Sequence, residues 1–208
     1  MLARREPDEP EHGFRGWYST AVLNPSEISP ETLRPLRRVE YEEMVRLGMF
    51  EGERVELLYG TIVQMSPHGP PYDATVGEID ERLKAALGRR AIVRIQSAFA
   101  ASDGSEPEPD VAVVPRCDYW HEHPSEAWLI VEVADSSLAK DRGPKARLYA
   151  ESGVLEYWVV NLIDALIEVH RSPSAGAYGQ VISCRPGDVI RPLQFPDIEL
   201  SVADLLRG

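Results

Sequence analysis

An acidic residue inside an unusually apolar segment is the first feature of this sequence that points to chemistry. Glu132 lies in the run 127–134 (AWLIVEVA), whose other residues are apolar and typical of a strand buried on both faces. A lone carboxylate buried in such a strand costs several kcal/mol unless a cation, a cluster of donors or a proton accompanies it. Glu132 therefore either pairs with an arginine or lies near the strand end, or it belongs to a functional site.

A second carboxylate favours the functional interpretation. Asp110 follows Pro109 and directly precedes the apolar segment 111–114, which is typical of a short buried strand. If this strand pairs with the one that contains Glu132, the two carboxylates converge and repel each other unless a divalent cation lies between them. Carboxylate oxygens are hard ligands that suit Mg²⁺ or Mn²⁺. The sequence therefore predicts a metal site formed by Asp110 and Glu132.

A predicted helix after the second strand could bring positive charge to this site. Asp141, Lys145 and Tyr149 recur at four-residue spacing in the segment 138–152, so they share one helix face. Lys145 could polarise an attacking water or stabilise charge that develops on a phosphate, and Tyr149 could orient Lys145 or contact the phosphate. The alternative is a solvated helix face with an Asp141–Lys145 ion pair that contributes about 0.3–0.5 kcal/mol.

Two further residues could belong to the same site. Glu56 lies among apolar residues in the first predicted hairpin, and it is either a third metal ligand or a surface acid on an alternating strand. His68 lies in a loop rich in Pro and Gly, where it either lines a pocket or lies on the surface. We expect Trp120, Trp128 and Trp158 in the core rather than in a surface that stacks on nucleic-acid bases.

Hydrophobic periodicity, with glycine and proline as breaks, predicts the elements that position these residues. We expect an irregular arm over residues 1–37, with a short packed piece at Trp17–Tyr18, and one α/β domain over residues 38–208. The predicted helices cover residues 41–47, 73–87 and 138–152 and a short segment that begins near residue 201. The predicted strands cover 54–65 as a hairpin, 91–100, 110–114, 127–134, 156–161, 165–171 and part of 181–192.

Composition limits the classes of protein to which the chain can belong. Its 208 residues suit one domain with an extension, and its net charge of −12 argues against tight non-specific binding to DNA phosphates. No apolar run approaches the ~20 residues that span a bilayer, and the N-terminal residues lack the apolar segment of a secretory signal. Cys117 and Cys184 are far apart, which fits reduced thiols. We therefore expect a cytoplasmic protein without a membrane partner.

Three segments together resemble the Uma family of restriction-endonuclease-like proteins, over about residues 39–206. They are E-L-L-Y-G-x-I-V from residue 56, P-D-V-A-V from residue 109, and V-E-V-A-D-S-S-x-x-x-D-x-x-x-K-x-x-x-Y-x-x-x-G-V-x-E-Y-W-V-V from residue 131. The family is similar to the PD-(D/E)XK nucleases, so the resemblance implies a restriction-endonuclease-like mixed β-sheet flanked by helices. It also implies that Asp110 and Glu132 bind Mg²⁺. The chain departs from the superfamily motif at Ala134, where a lysine is expected, and the resemblance places that lysine at Lys145.

Three functions are compatible with these residues. The first is a Mg²⁺-dependent endonuclease that hydrolyses DNA phosphodiester bonds, with Asp110, Glu132 and Glu56 at the metal and with Asp110, Glu132, Lys145 and Tyr149 as catalytic residues. The second is a catalytically inactive nuclease-fold module that acts in binding or assembly, which the acidic charge and the displaced lysine favour. The third is hydrolysis by paired carboxylates, as in glycosidases, where Lys145 has no role. A homodimer is one expected arrangement of the nuclease, because cutting two strands requires two sites.

Overall fold

The computed structural model of the chain describes residues 33–206. The expected N-terminal arm, with Trp17 and Tyr18, lies outside the described residues except for residues 33–37, which have no regular secondary structure. The helices are α1 (Arg38–Arg46), α2 (Pro70–Leu87), α3 (Leu138–Lys140), α4 (Ala146–Glu151) and α5 (Val202–Leu205), with a π-helical turn (Asp141–Lys145) between α3 and α4. The strands are β1 (Val55–Leu58), β2 (Thr61–Gln64), β3 (Ile92–Ile95), β4 (Val111–Val114), β5 (Leu129–Ala134), β6 (Glu156–Asn161), β7 (Leu166–Ser174), β8 (Ala177–Cys184), β9 (Val189–Ile190) and β10 (Leu200–Ser201).

A six-stranded mixed sheet forms the centre of the domain, in the order β3-β4-β5-β6-β7-β8. β5 and β6 are parallel, and the other neighbouring pairs are antiparallel. The connection from β5 to β6 contains α3, the π-helical turn and α4, as a parallel pair requires a crossover. The expected α/β fold with a mixed sheet and flanking helices is therefore confirmed.

The two faces of the sheet are covered by different helices. Val131 and Val133 face a core shared with α2 and α5, whereas Ile130 and Ala134 face a second core shared with α4. Glu132 lies between Val131 and Val133, and side chains alternate along a strand, so its carboxylate points to the α4 side. All six residues of β5 are buried, which matches the expectation of a strand covered on both faces.

The first hairpin lies beside this sheet and follows its prediction closely. β1 and β2 pair antiparallel through a two-residue turn at Tyr59 and Gly60, whose φ angles are +50° and +75°. Two positive φ values in sequence are the geometry of the hairpin turn that matches strand twist. Gly60 is required there for a second reason, because an added Cβ would lie 2.3 Å from the Cβ of Pro35.

Two expectations about the fold are wrong in detail. The strand expected over 91–100 ends at Ile95, because Gln96 turns the chain with a φ of +43°. Trp120 does not lie in the core, because it is 84% exposed on the loop between β4 and β5. Trp158 is fully buried and Trp128 packs partly buried against the core, as expected.

Within residues 33–206, no helix combines the length and the apolar character that a bilayer crossing requires.

Candidate active site

The strand register brings the two predicted acids together. β4 and β5 pair antiparallel with Val111 opposite Val131, so continuing the register by one residue places Asp110 opposite Glu132. Asp110 is tied to the neighbouring strand because its Oδ2 accepts a hydrogen bond from the backbone N–H of Val133 at 2.7 Å. Both carboxylates are buried, with 5% of Asp110 and 3% of Glu132 exposed.

Asp110 and Glu132 line a cavity of about 50 Å³ at this end of the sheet. Its walls come from the loop after β2, the start of α2, the ends of β4 and β5, and the segment from α3 through the π-helical turn. The charged residues in the described lining are Asp110, Glu132, Asp135, Asp141, Lys140 and Lys145, together with His68. Four carboxylates and two ammonium groups leave a surplus of two negative charges on the wall when all are ionised, which one divalent cation would balance.

A π-helical turn, rather than the uninterrupted helix predicted over 138–152, presents Asp141 and Lys145 to the cavity. Pro144 lies inside this turn, where its missing N–H and its ring are incompatible with an α-helical bond to the carbonyl four residues earlier. The turn instead closes with the N–H of Ala146 bonded to the carbonyl of Asp141, five residues back. The Gly143-Pro144 dipeptide was the sequence signal for this interruption.

Lys145 is buried between two carboxylates. Its Nζ lies 2.9 Å from Oε1 of Glu132 and 3.1 Å from Oε2 of Glu56, and only 2% of the residue is exposed. Burial opposes the ammonium charge, but the carboxylates of Glu132 and Glu56 outweigh it and raise the pKa of Lys145 above its ordinary value. The solvated Asp141–Lys145 pair is therefore wrong as an alternative. Asp141 instead accepts a hydrogen bond from the hydroxyl of Ser137.

Glu132 receives its hydrogen bonds on one oxygen. The ammonium of Lys145 and the hydroxyl of Tyr149, the latter at 2.6 Å, both donate to Oε1. Among residues 33–206 both of these donors bond Oε1, and Oε2 receives no hydrogen bond from them. Burial raises the pKa of Glu132 well above its ordinary value; Lys145 lowers it, and the neighbouring Asp110 raises it further.

Asp110 is the second acid with an elevated pKa. Burial raises the pKa of Asp110, and the hydrogen bonds from the Tyr72 hydroxyl and from the N–H of Val133 partly offset this effect. Two buried carboxylates that both resist ionisation and that repel each other form a site that gains from a divalent cation. The geometry and the donor set therefore fit Mg²⁺, which commonly binds one or two carboxylates and keeps several waters.

Glu56 does not match one of the two roles expected from the sequence. Its side chain is fully buried, so it is not a surface acid on an alternating strand. Its Oε1 accepts a hydrogen bond from the Nζ of Lys140 at 2.8 Å, and its Oε2 faces the Nζ of Lys145, so both oxygens are beside ammonium groups. Among the described residues no group of three or more acidic, His or Cys side chains is arranged to hold a metal. Glu56 thus contacts both lysines of the site.

Tyr72 and Lys140 are site residues that the sequence reasoning missed. The hydroxyl of Tyr72 donates to Oδ1 of Asp110, and the His68 ring stacks on the Tyr72 ring with centroids 3.9 Å apart. Of the two alternatives for His68, the structure supports the one in which it lines a pocket. Tyr72 follows Pro70-Pro71, a pair typical of a helix start, and a tyrosine in the first turn beside a predicted pocket was the available signal.

Comparisons with known proteins identify a family for the chain and a solved structure with the same fold. A family model named Uma2, whose description is "Putative restriction endonuclease", matches residues 39–203. A crystal structure from Anabaena variabilis, described as a "putative nuclease belonging to DUF820", has a TM-score of 0.68 and 16% sequence identity. The match covers 83% of this chain and 98% of that chain; at this identity it shows the shared fold alone. No curated protein matches the chain.

Proposed function

Because the chain belongs to the Uma2 family and has the family's restriction-endonuclease-like fold, we propose that it is a Mg²⁺-dependent endonuclease that hydrolyses phosphodiester bonds in DNA. The observation that supports this proposal most strongly is the meeting of Asp110 and Glu132 at one cavity, each with a raised pKa. Lys145 supplies one positive charge to this acid pair, and a divalent cation would offset the remaining charge, because uncompensated buried carboxylates destabilise the folded chain when ionised.

Asp110 and Glu132 would hold the metal, with water completing its coordination. Bound there, the cation would supply the positive charge that polarises a phosphodiester and makes a nearby water more acidic. The N–H of Val133 and the hydroxyl of Tyr72 orient Asp110. These contacts fix the acid before the metal arrives, which reduces the reorganisation required on binding.

Lys145 and Tyr149 would act on Glu132. Both donate to Oε1 and favour the ionised carboxylate, so Oε2 is presented to the metal in its charged form. The sequence suggested that Lys145 polarises the attacking water directly. The proposal now assigns it a positioning role, since the carboxylates of Glu132 and Glu56 already engage its ammonium group.

A cleavage assay with site variants tests the proposal. The chain is incubated with single-stranded and duplex DNA in Mg²⁺ or Mn²⁺, alongside Asp110→Ala, Lys145→Ala and, as a matched control, Lys84→Ala. Lys84 is exposed on α2, where it pairs with Asp80. We expect Asp110→Ala and Lys145→Ala to abolish metal-dependent cleavage, Lys84→Ala to retain it, and circular dichroism to show all three folded. Full activity in both site variants would refute the assignment.

A nuclease-fold module without catalysis is the second candidate. The observations that favour it are the net charge of −12 and Ala134 at the position where the superfamily motif has a lysine. Calorimetric titration separates the two candidates, because the nuclease requires Mg²⁺ or Mn²⁺ to bind in a manner that Asp110→Ala removes. Absence of binding at millimolar metal would favour the inactive module and would redirect attention to protein partners.

A further inference from the structure

Lysine is a rare residue in this chain, and it is concentrated at the cavity. Of 22 Lys and Arg residues only Lys84, Lys140 and Lys145 are lysines, and two of these three line the same cavity. The two residue types differ chemically: a lysine ammonium is a compact charge on a flexible stem, whereas a guanidinium is a rigid planar fork that suits fixed bidentate pairs. A side chain that must exchange one ion-pair partner for another is therefore better suited to be a lysine than an arginine.

The two cavity lysines differ in their freedom to move. Lys145 contacts both Glu132 and Glu56, and 3% of its side chain is exposed. Lys140 has 26% of its side chain exposed, and its Nζ contacts a single carboxylate among the described residues, Oε1 of Glu56 at 2.8 Å. Turning Lys145 toward the cavity would break two buried contacts, whereas turning Lys140 would break one partly solvated contact.

Glu56 retains a second ammonium contact if Lys140 leaves. Its Oε2 lies 3.1 Å from the Nζ of Lys145, so one ammonium stays beside it when the other leaves. Lys140 also immediately precedes the π-helical turn, at the end of α3, where its stem already borders the cavity. These features suit an ammonium group that binds Glu56 when the cavity holds no ligand. The same group can then bind an anion that enters the cavity.

We propose that Lys140 contacts the substrate phosphate: its ammonium leaves Glu56 and binds a non-bridging oxygen of the phosphodiester next to the metal position. This inference rests on the proposed nuclease function. In this proposal the two lysines have different roles: Lys145 positions Glu132, and Lys140 contacts the substrate. No bond is made or broken by Lys140, whose contribution is the charge that offsets the phosphate and the negative charge that develops on it.

The scarcity of lysine makes this assignment directly observable. Selective ¹³C labelling of the lysine side chains gives three resonances, which substitution of each lysine assigns. The labelled full chain is titrated with a short DNA duplex in Ca²⁺, a divalent cation that also binds oxygen ligands but has looser geometry. We expect the Lys140 resonance to shift on saturation, and the Lys84 resonance, some 18 Å along α2 from the cavity end at 1.5 Å per residue, to stay in place.

Kinetics of the Lys140 variants supply the second measurement. Lys140→Ala is expected to raise KM at least tenfold, while the calorimetric affinity for Mn²⁺ changes by less than threefold. Lys140→Arg keeps the charge and is expected to recover part of the loss, and Lys84→Ala controls for the loss of one surface charge. Unchanged KM and kcat in Lys140→Ala, or an unmoved Lys140 resonance on a duplex that binds, would overturn the assignment.

A failure of the nuclease proposal is distinguishable from a failure of the Lys140 assignment. If the wild-type chain neither cuts nor binds DNA, the nuclease proposal fails, and the labelled protein is then titrated with inorganic phosphate in Mg²⁺. A shift confined to Lys140 supports the phosphate contact, with a substrate other than DNA. No shift of Lys140 at saturating phosphate refutes it.

Discussion

Replacing Lys145 by methionine is the sharpest test of the charge arrangement in the cavity wall. Methionine has a similar length and no charge, so Lys145→Met removes the ammonium while filling most of its space. Glu56 keeps Lys140 as a partner at 2.8 Å, but Glu132 keeps only the hydroxyl of Tyr149. The variant therefore leaves the carboxylate of Glu132 buried without a cation.

The size of the effect follows from the burial of the pair. The side chains of Lys145 and Glu132 are 3% and 4% exposed, so solvent screens them little. Removing one partner of a buried ion pair costs about 3–5 kcal/mol. For a domain of this length each kcal/mol lowers Tm by about 2–4 °C, so we expect a decrease of roughly 6–20 °C at alkaline pH.

The effect depends on pH with a definite sign. Burial already raises the pKa of Glu132, and loss of Lys145 removes an interaction that lowers it, so the pKa rises further in the variant. The folded state then keeps a proton that the unfolded state has lost, and stability falls as pH rises from the ordinary glutamate value through the raised one. A larger fraction of Glu132 is protonated and neutral at pH 5.5 than at pH 8.5, so the deficit relative to wild type is smaller at the lower pH.

Urea denaturation followed by tryptophan fluorescence measures this deficit, with the buried Trp158 as a reporter. The double variant Lys145→Met/Glu132→Gln removes both charges and is expected to regain most of the lost stability. Lys84→Met, on the exposed part of α2, is the control and is expected to change stability by no more than about 0.5 kcal/mol at both pH values. A deficit below 1 kcal/mol at pH 8.5, or an equal deficit at both pH values, would refute the reasoning.

Four further predictions follow from the same geometry. Tyr149→Phe keeps the ring and loses the hydrogen bond to Glu132. Urea denaturation should show a decrease of about 1.5–3 kcal/mol in the free energy of unfolding. An unchanged free energy of unfolding would mean that this hydrogen bond contributes nothing to stability. Calorimetric Mn²⁺ affinity should rise between pH 6 and pH 8, with release of protons, because burial raises the pKa of Asp110 and Glu132; equal affinity at both pH values would contradict this. Tyr72→Phe removes a hydrogen bond that lowers the pKa of Asp110. Mn²⁺ affinity should therefore fall roughly tenfold at pH 7 and recover at higher pH. A loss of affinity that is independent of pH would instead indicate distortion of the site. Burial and Glu42 raise the pKa of Glu106 to about 8. The free energy of unfolding of the wild type should therefore fall as pH rises from the ordinary glutamate value to about 8. Glu106→Gln should reduce this dependence on pH, whereas a control substitution of an exposed glutamate should not.

Local sequence patterns were enough for most of the helices and strands and for the two acids. The apolar run around Glu132 predicted a buried strand, and the apolar segment after Asp110 predicted its partner, since a strand covered on both faces needs apolar side chains throughout. Once these two strands are neighbours, the antiparallel register alone brings Asp110 opposite Glu132. The family resemblance covered the same segments and is confirmed over residues 39–203.

The chemistry of the lysines depended on contacts that no local pattern encodes. Glu56 and Lys140 are 84 positions apart, and Tyr72 and Asp110 are 38 apart, so their pairing follows from how the hairpin and α2 pack against the sheet. The helical spacing of Asp141 and Lys145 left a surface ion pair open as an alternative to a role in the site, because spacing shows which residues share a face but not what that face meets. Pro144 changed the helix into a π-helical turn, and packing against β5 and β1 gave Lys145 two buried carboxylates in place of Asp141. The sequence by itself thus determined the main elements and the acid pair through short-range periodicity, and the family resemblance added the mixed sheet. The tertiary structure decided which carboxylates Lys140 and Lys145 contact, since burial and long-range ion pairing exist only after the elements pack.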